Sequence, residues 1–211
     1  MTITIILTIL ASLALVATVY YAGGKMSGGT ISQINEQVRA LSKNLSLPEP
    51  KISQSKNDSF HEVELTGSLN NRSFNFQCFT KKINAAESFT TRFSLAVRME
   101  LDNNIHICKE GLYSTLQKQF GKHDIDFQDP AFDEKYLVHA DQAPFVQHLL
   151  NAEIRSEMIK IERFFLGQLR IHKGEILYEE SGLMVSKEDL HRIQRLITLA
   201  EMIASQMDQS R

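Results

Sequence analysis

The sequence predicts an α+β fold: antiparallel β-hairpins with packed helices, preceded by one N-terminal transmembrane helix. Three observations lead to this prediction. The N-terminus is an uncharged apolar run, residues 61–108 alternate apolar with polar side chains, and helical spacing of apolar residues returns in the C-terminal third. Because the strands come first and most helices follow, the pattern favours α+β over a parallel α/β sheet. We expect an anchor over residues 1–24, a juxtamembrane amphipathic helix and linker over 25–58, and a soluble α+β domain over 59–211.

The anchor is predicted from residues 2–22, which are 21 consecutive positions without a charged side chain. A helix of about 20 apolar residues crosses the hydrocarbon core. Tyr20 and Tyr21 lie where phenol rings sit among lipid headgroups, and Gly23 and Lys25 follow. A cleaved signal peptide is the alternative, but it would begin with basic residues and have an apolar core of roughly 7–15 residues. An uncleaved single span is therefore expected.

The orientation of the span follows from its flanking basic residues. None precedes the apolar run, whereas Lys25, Arg39 and Lys43 follow it. Lys and Arg tend to remain on the cytoplasmic side of a span. The sequence thus predicts a single-pass protein of the plasma (inner) membrane with its domain in the cytoplasm.

The connector carries one narrow helical stripe of apolar residues. Thr30 or Ser32 can cap the start of this helix, and the Leu47-Pro48 pair ends it. The stripe can pack on its own domain, or it can pair with a second copy as a short coiled coil, which makes a homo-oligomer a second expectation. The face is too poor in basic residues for a membrane-surface helix. The stripe consists of Ile31, Ile34, Val38, Leu41 and Leu45.

The predicted strands form three hairpins. Alternation in 61–65 and 74–78 around the turn residues 67–71 predicts the first, and Arg92–Leu101 turning through Asp102–Asn104 into Ile105–Cys108 predicts the second. The third surrounds His172–Gly174. The remaining predicted elements are a short helix over 112–120, a strand over 136–139, a helix over 143–150, a helix capped by Asn151 running to about Arg163, and a C-terminal helix opened by the capping box Ser186-x-x-Asp189.

Composition limits the classes of partner and scaffold. The chain has 23 basic and 25 acidic residues and a net charge of -2, which gives no support for nucleic-acid binding. Its two cysteines, Cys78 and Cys108, exclude a disulfide-rich scaffold and a zinc ribbon. Buried free thiols are expected, and a single bridge is the alternative outside the cytosol.

No catalytic, cofactor-binding or metal-binding residue is assigned from motifs. The acidic stretch 123–134 lacks the Gly and Glu of an EF-hand loop, since Asp129 and Lys135 occupy those positions, so we expect a solvated turn. None of the seven histidines has a metal-ligand spacing. His139 and Asp141 are close in sequence but lack a recognisable Ser or Cys nucleophile. Gly-rich phosphate loops are absent from the sequence.

The segment beginning Asp129-Pro-Ala-Phe132-Asp133 and continuing through Tyr136 and Val138 resembles a group of bacterial, mostly membrane-anchored proteins of unknown function. That group carries an Asp-Pro-x-Phe-Asp-x-x-Phe-x-Val motif, then a Leu-Leu element, a short helix, a β-hairpin and a C-terminal helix. Here Gln128 stands where a Gly is frequent, and Tyr136 replaces Phe. The resemblance implies that Phe132, Tyr136 and Val138 alternate along a strand into a core, while Asp133 makes a local turn or cap bond. It implies no activity.

Three functional hypotheses follow. The first is a membrane-tethered, non-enzymatic interaction or scaffold domain, based on the anchor, the connector and the absence of catalytic motifs. The alternative is a small-molecule or lipid-binding domain whose pocket lies between the sheet and the C-terminal helix. The third, a hydrolytic enzyme, rests only on His139 and the carboxylates near it.

Overall fold

One antiparallel sheet with helices packed on it organises the chain. The computed structural model describes residues 28–54, 61–83, 86–98, 104–109 and 124–209. The elements are α1 (Gly28–Asn44), β1 (Lys51–Gln54), β2 (His61–Leu69), β3 (Arg72–Ile83), β4 (Ala86–Ala96), β5 (Ile105–Lys109), α2 (Pro130–Asp133), β6 (Tyr136–Ala140), α3 (Ala143–Leu149), α4 (Ala152–Lys160), a 3-10 turn (Glu162–Phe164), β7 (Gln168–His172), β8 (Glu175–Ser181) and α5 (Lys187–Gln209). The strand order is β1-β2-β3-β4-β8-β7-β5-β6. The predicted α+β class is confirmed.

Two predicted elements lie outside the described residues. These are the anchor over residues 1–24 and the short helix over 112–120. Among the helices that the structure describes, none combines the length and the apolar character that a membrane span requires.

Two of the three predicted hairpins are confirmed, and their turns explain why. Asn70 and Asn71 join β2 to β3 with φ of 48° and 62°, and Lys173 and Gly174 join β7 to β8 with φ of 48° and 76°. Left-handed conformations at both central residues match the twist of a two-residue hairpin, and Asn and Gly adopt them at little cost. Turn chemistry and alternation therefore point to the same structure in these segments.

The predicted hairpin between β4 and β5 is wrong. β4 lies between β3 and β8, while β5 lies between β7 and β6. The predicted strand from Arg92 also differs, since β4 begins earlier, at Ala86, and ends at Ala96. Alternation identifies a strand and its buried face, but it does not identify the neighbouring strand. The β7–β8 hairpin, formed much later in the sequence, occupies the place beside β4.

The core face of the sheet is a continuous apolar surface. One row across seven strands contains a fully buried side chain at every position, and the register places each beside the next. Aromatic rings at its centre stack, with 5.4 Å between the centroids of Phe93 and Tyr178. Burial of apolar side chains such as these is the dominant favourable contribution to the free energy of folding. From β6 to β2 the row is Val138, Ile107, Leu169, Tyr178, Phe93, Phe76 and Leu65.

The connector helix α1 belongs to this core. Ile34 is 3 % exposed, while Val38 and Leu41 are fully buried, and the helix contacts α5 and β2. After the helix, Leu47 fills the space over Gly67, where an added Cβ would lie 2.5 Å from Leu47 Cδ2. Packing of the stripe on its own domain is thus confirmed. Association of copies through this helix stays a prediction, and it would have to use the exposed face.

The acidic stretch folds as a local turn around Asp133. The carboxylate of Asp133 accepts hydrogen bonds from the backbone N–H of Phe127 at 3.3 Å and of Asp129 at 2.9 Å, which is the local turn alternative of the expected turn or cap bond. Phe132 lies in the short helix α2, so its predicted strand conformation is wrong. Phe132, Tyr136 and Val138 are nevertheless all in the core, because one helical turn returns Phe132 to the side on which Tyr136 stacks.

The outer edge of β6 is covered by the chain that precedes α2. The Ile125 N–H donates to the Val138 carbonyl oxygen at 2.9 Å, and the Asp124 carboxylate accepts from the Val138 N–H at 2.8 Å. Both outward backbone groups of Val138 are therefore satisfied. Burial raises the pKa of Asp124, which this bond partly offsets.

A buried ion pair joins the sheet to α5. Glu180, 4 % exposed at the end of β8, accepts hydrogen bonds from Arg192 of α5 and, at 2.6 Å, from the Tyr178 hydroxyl. Arg192 also reaches Asp189 at 3.3 Å. The Asp189 carboxylate accepts from the Ser186 N–H, and the Ser186 hydroxyl accepts from the Asp189 N–H, which confirms the predicted capping box.

The two cysteines are free and buried, as expected from the sequence. Cys78 on β3 and Cys108 on β5 are separated by three strands in the sheet. Four strand spacings of about 4.8 Å place them roughly 19 Å apart, beyond the reach of a disulfide, which needs Cα atoms within about 7 Å. Burial raises the pKa of each thiol to about 11, so both remain protonated at neutral pH.

Candidate functional site

A cleft of about 500 Å³ lies at one end of the sheet. The structure builds it where β5 begins, where β6 ends and where the turn joins β7 to β8. Its described lining combines apolar side chains, such as Ile105 and Leu177, with His106, His139 and Arg170. Small-molecule sites share this composition, since apolar walls bury the ligand and a few polar groups orient it.

Three cation-forming side chains stand side by side in the cleft. The register places His106 of β5 directly beside His139 of β6 and directly beside Arg170 of β7. Directly opposed residues on neighbouring strands have Cβ atoms about 4.5–5.5 Å apart. The next residue in this row is Leu177 of β8, which adds an apolar surface beside the charge. We call His139, His106 and Arg170 the basic row.

The two histidines of the basic row are almost completely buried. His106 is 3 % exposed and His139 is 7 % exposed. His106 Nε2 lies 2.8 Å from the Gln168 side-chain oxygen, to which an Nε2–H can donate. Burial lowers the pKa of His106, and Arg170 and His139 lower it further because like charges oppose protonation. His106 is therefore neutral at neutral pH.

Arg170 supplies a permanent positive charge to the cleft. Its side chain is 39 % exposed, and one terminal nitrogen lies 3.8 Å from a Glu179 carboxylate oxygen. At this separation the pair is a weak, solvent-screened contact. The Nε atom of Arg170 is buried and has no hydrogen-bond partner among the residues that the structure describes. Part of the guanidinium thus retains hydrogen-bonding capacity.

Two carboxylates are among the described residues that line the cleft, Asp141 and Glu175. Asp141 accepts hydrogen bonds from the Asn104 backbone N–H at 2.9 Å and from the Asn104 side chain at 3.1 Å. Glu175 is exposed and stands opposite His172 in the β7–β8 hairpin. The structure therefore brings His139 and Asp141 to one cleft, but Asp141 serves a turn. No Ser or Cys is among the described residues that line this cleft.

The described part of the chain contains no cluster of side chains that could bind a metal ion. No three His, Cys, Asp or Glu side chains there lie close enough together to hold an ion. Within the acidic stretch, Asp129 instead accepts a hydrogen bond from Arg155 at 3.0 Å, and Asp126 accepts one from the Gln128 N–H at 2.7 Å.

The sequence alone does not reveal the basic row, because its three members lie far apart along the chain. His106, His139 and Arg170 each hold a polar position in an alternating strand, which is visible in the sequence. Their meeting depends on the strand order β6-β5-β7, in which two neighbours of β5 come from later segments. No local pattern carries that information.

Comparison with known proteins leaves the chain without an assigned family. No protein-family model and no curated protein matches the sequence. Among solved structures, it is weakly similar to the mycobacterial trehalose monomycolate transport factor A, with a TM-score of 0.44 and 10% sequence identity over 80% of this chain and 95% of that chain. A likeness at this level carries no assignment of function.

Proposed function

We propose that this chain is a membrane-tethered, non-enzymatic binding module whose cleft at the β5–β8 end takes a small molecule or a lipid headgroup. The observation that carries the proposal is the cleft itself, in which buried His106 and His139 and half-exposed Arg170 meet beside apolar walls. Placing such groups at a cavity costs folding free energy, which a ligand can return.

The side chains that line the cleft favour a binding function over hydrolysis. A hydrolase needs a nucleophile or an activated water with a base positioned beside it. Here Asp141 is bound to Asn104, and the described lining supplies neither hydroxyl nor thiol. Binding through the cleft is also favoured over a scaffold role through the connector, because Val38 and Leu41 are already in the core.

The location of the cleft differs from the pocket that the ligand-binding hypothesis assumed. That pocket was expected between the sheet and the C-terminal helix, but α5 covers the core face and fills it with apolar side chains. The cleft instead opens at the end of the strands, which leaves it accessible without unpacking a helix.

A photo-crosslinker placed in the cleft tests the binding function. Benzoylphenylalanine replaces Leu177 in the full-length chain, and the matched control carries it at Leu166, which is 51 % exposed outside the cleft. After irradiation of cells, intact-mass analysis should show a small-molecule adduct at 177 that is absent at 166. Circular dichroism verifies the fold of both variants. The same adducts at both positions, or none at 177, would contradict a cleft that binds a ligand.

The proposal includes a membrane span over residues 1–24 with the domain in the cytoplasm. It is supported by the uncharged run 2–22 and by the basic residues that follow it. The full-length chain should remain in membranes after an alkaline carbonate wash, and deletion of 2–22 should release it. Added protease should spare the domain in spheroplasts and degrade it in inverted vesicles. Digestion in spheroplasts would contradict the orientation, and release by carbonate would contradict the span.

A further inference from the structure

We propose that the ligand of the cleft is an anion, a phosphate or carboxylate group held between His139, His106 and Arg170 on three adjacent strands. The inference rests on the proposed function, because it assigns a ligand class to the same cleft. It also predicts that binding takes up a proton.

The arrangement of the basic row is the first argument. Directly opposed side chains on neighbouring strands are close enough to interact, and like charges at such positions destabilise a sheet. His139, His106 and Arg170 are opposed in this way on β6, β5 and β7, so a proton taken up by His106 places a positive charge directly beside Arg170. An anion placed over the central position would be shared by all three groups, and it would reverse the sign of the interaction.

Several charged groups surround the basic row. Glu179 approaches Arg170 to 3.8 Å. The Asp124 carboxylate interacts with His139 and accepts a hydrogen bond from the Val138 N–H, and the Asp141 carboxylate accepts one from the Asn104 N–H. His172 and Glu175 face each other at the exposed hairpin. Gln168, the polar partner of His106, is uncharged.

Arg170 gives the site its chemical preference. A guanidinium presents several N–H donors in one plane, which matches the oxygen atoms of phosphates and carboxylates. The buried Nε of Arg170, without an acceptor among the described residues, is one donor that such an oxygen can engage after a small side-chain movement.

Proton uptake follows from His106. In the free protein His106 is neutral at neutral pH, since it is buried beside Arg170 and His139. A bound anion favours the charged imidazolium, so its pKa rises on binding. Affinity should then increase as the pH falls, by up to about tenfold per pH unit for each proton taken up.

The apolar wall decides between two sources of the anion. Leu177 lies directly beside Arg170 in the row and can cover an alkyl chain, as in a lipid headgroup with its glycerol or acyl portion. A free phosphate or a small carboxylate would make no use of this apolar surface. A lipid headgroup and a free anion carry the same charged group, so the experiment includes a probe for each source.

Matched phosphate esters test the inference on the full-length chain in lipid nanodiscs. Methyl hexyl phosphate carries one fixed negative charge, dimethyl hexyl phosphate has nearly the same shape without charge, and dimethyl phosphate keeps the charge without the chain. Calorimetry should show binding of the diesters, with affinity rising from about pH 7.5 to about pH 5.5, and at least about tenfold weaker binding of the neutral triester. Stronger binding of the hexyl than of the dimethyl diester indicates a lipid source, and equal binding indicates a free anion.

Substitutions locate the binding. Arg170→Gln and His106→Gln should each weaken methyl hexyl phosphate binding about tenfold or more, and His106→Gln should flatten its pH dependence. Arg170→Lys should restore part of the affinity. Arg92→Gln is the matched control. Arg92 lies on β4, on the same face of the sheet as the basic row, but it is outside the cleft and donates a hydrogen bond to Gln77 at 2.6 Å. Unfolding midpoints verify that each variant is folded.

The outcomes separate this inference from the proposed function. Equal binding of diester and triester, or an Arg170→Gln variant that binds like the native chain, would overturn the inference that the ligand is an anion. A cleft adduct at position 177 would still support a ligand site in that case. Absence of that adduct would remove the proposed function itself.

Discussion

Replacing Arg192 by methionine is expected to lower the free energy of unfolding by about 3–5 kcal/mol, because it leaves the Glu180 carboxylate buried without its cation. Glu180 is 4 % exposed on the core face of the sheet, where solvation cannot replace the lost guanidinium. The Tyr178 hydroxyl at 2.6 Å would remain as a neutral donor and offset only part of the loss. Urea unfolding monitored by circular dichroism measures the effect.

Two variants make this result interpretable. Arg195→Met removes a cation of the same helix that pairs with Glu157 at 3.2 Å but is 42 % exposed, and it should cost less than about 1 kcal/mol. Adding Glu180→Leu to Arg192→Met should recover stability, since a buried ion pair can be replaced by apolar groups. If Arg192→Met costs no more than Arg195→Met, the pair is not the desolvated contact described above.

Replacing Val38 by aspartate should destabilise the whole domain by roughly 4 kcal/mol. Val38 is fully buried in α1, and its neighbours Ile34 and Leu41 lie in the same core cluster as the sheet. A carboxylate at this position must either lose its hydration in the core or pull α1 away from the core into solvent. We therefore expect one cooperative unfolding transition at a lower urea concentration, in the α1 signal and in the sheet signal alike.

Gln33→Asp provides the control for α1. Gln33 is on the exposed face of the same helix, so a carboxylate there should change stability by no more than about 0.5 kcal/mol. A contrary result would be a Val38→Asp variant with native domain stability but an altered oligomeric state by light scattering. That outcome would mean that the stripe serves contact between copies rather than the core.

Local chemistry made the helices α1, α3, α4 and α5 and two hairpins predictable. At α4, the Asn151 side chain accepts from the Ile154 N–H at 3.0 Å, as its capping position in the sequence predicts. At α5, the Ser186 and Asp189 pair forms the capping box. Such signals act within a few residues, and no distant contact is needed to interpret them.

Long-range pairing made the remainder unpredictable. The turn residues Asp102–Asn104 have the composition of a hairpin turn, yet β4 and β5 are separated in the sheet by β8 and β7. The free energy that decides this order comes from contacts such as Leu95 with Ile176 and Ile105 with Ile171, which join distant parts of the chain. The basic row depends on the same strand order, so neither the topology nor the site could be predicted from the sequence.

The backbone of residues 124 and 125 lying along β6 has a consequence for self-association. A sheet with two open edges can accept a strand from a neighbour on each side and thus extend without limit into a fibre. In the described sheet, the Asp124 and Ile125 bonds to Val138 block one edge, which leaves β1 at the other. Pairing of β1 with β1 of a second molecule would join the two sheets edge to edge. It would then stop, because neither molecule has a second open edge in the described sheet. In the described sheet, a blocked edge of this kind limits strand addition to a closed pair of molecules instead of an open polymer.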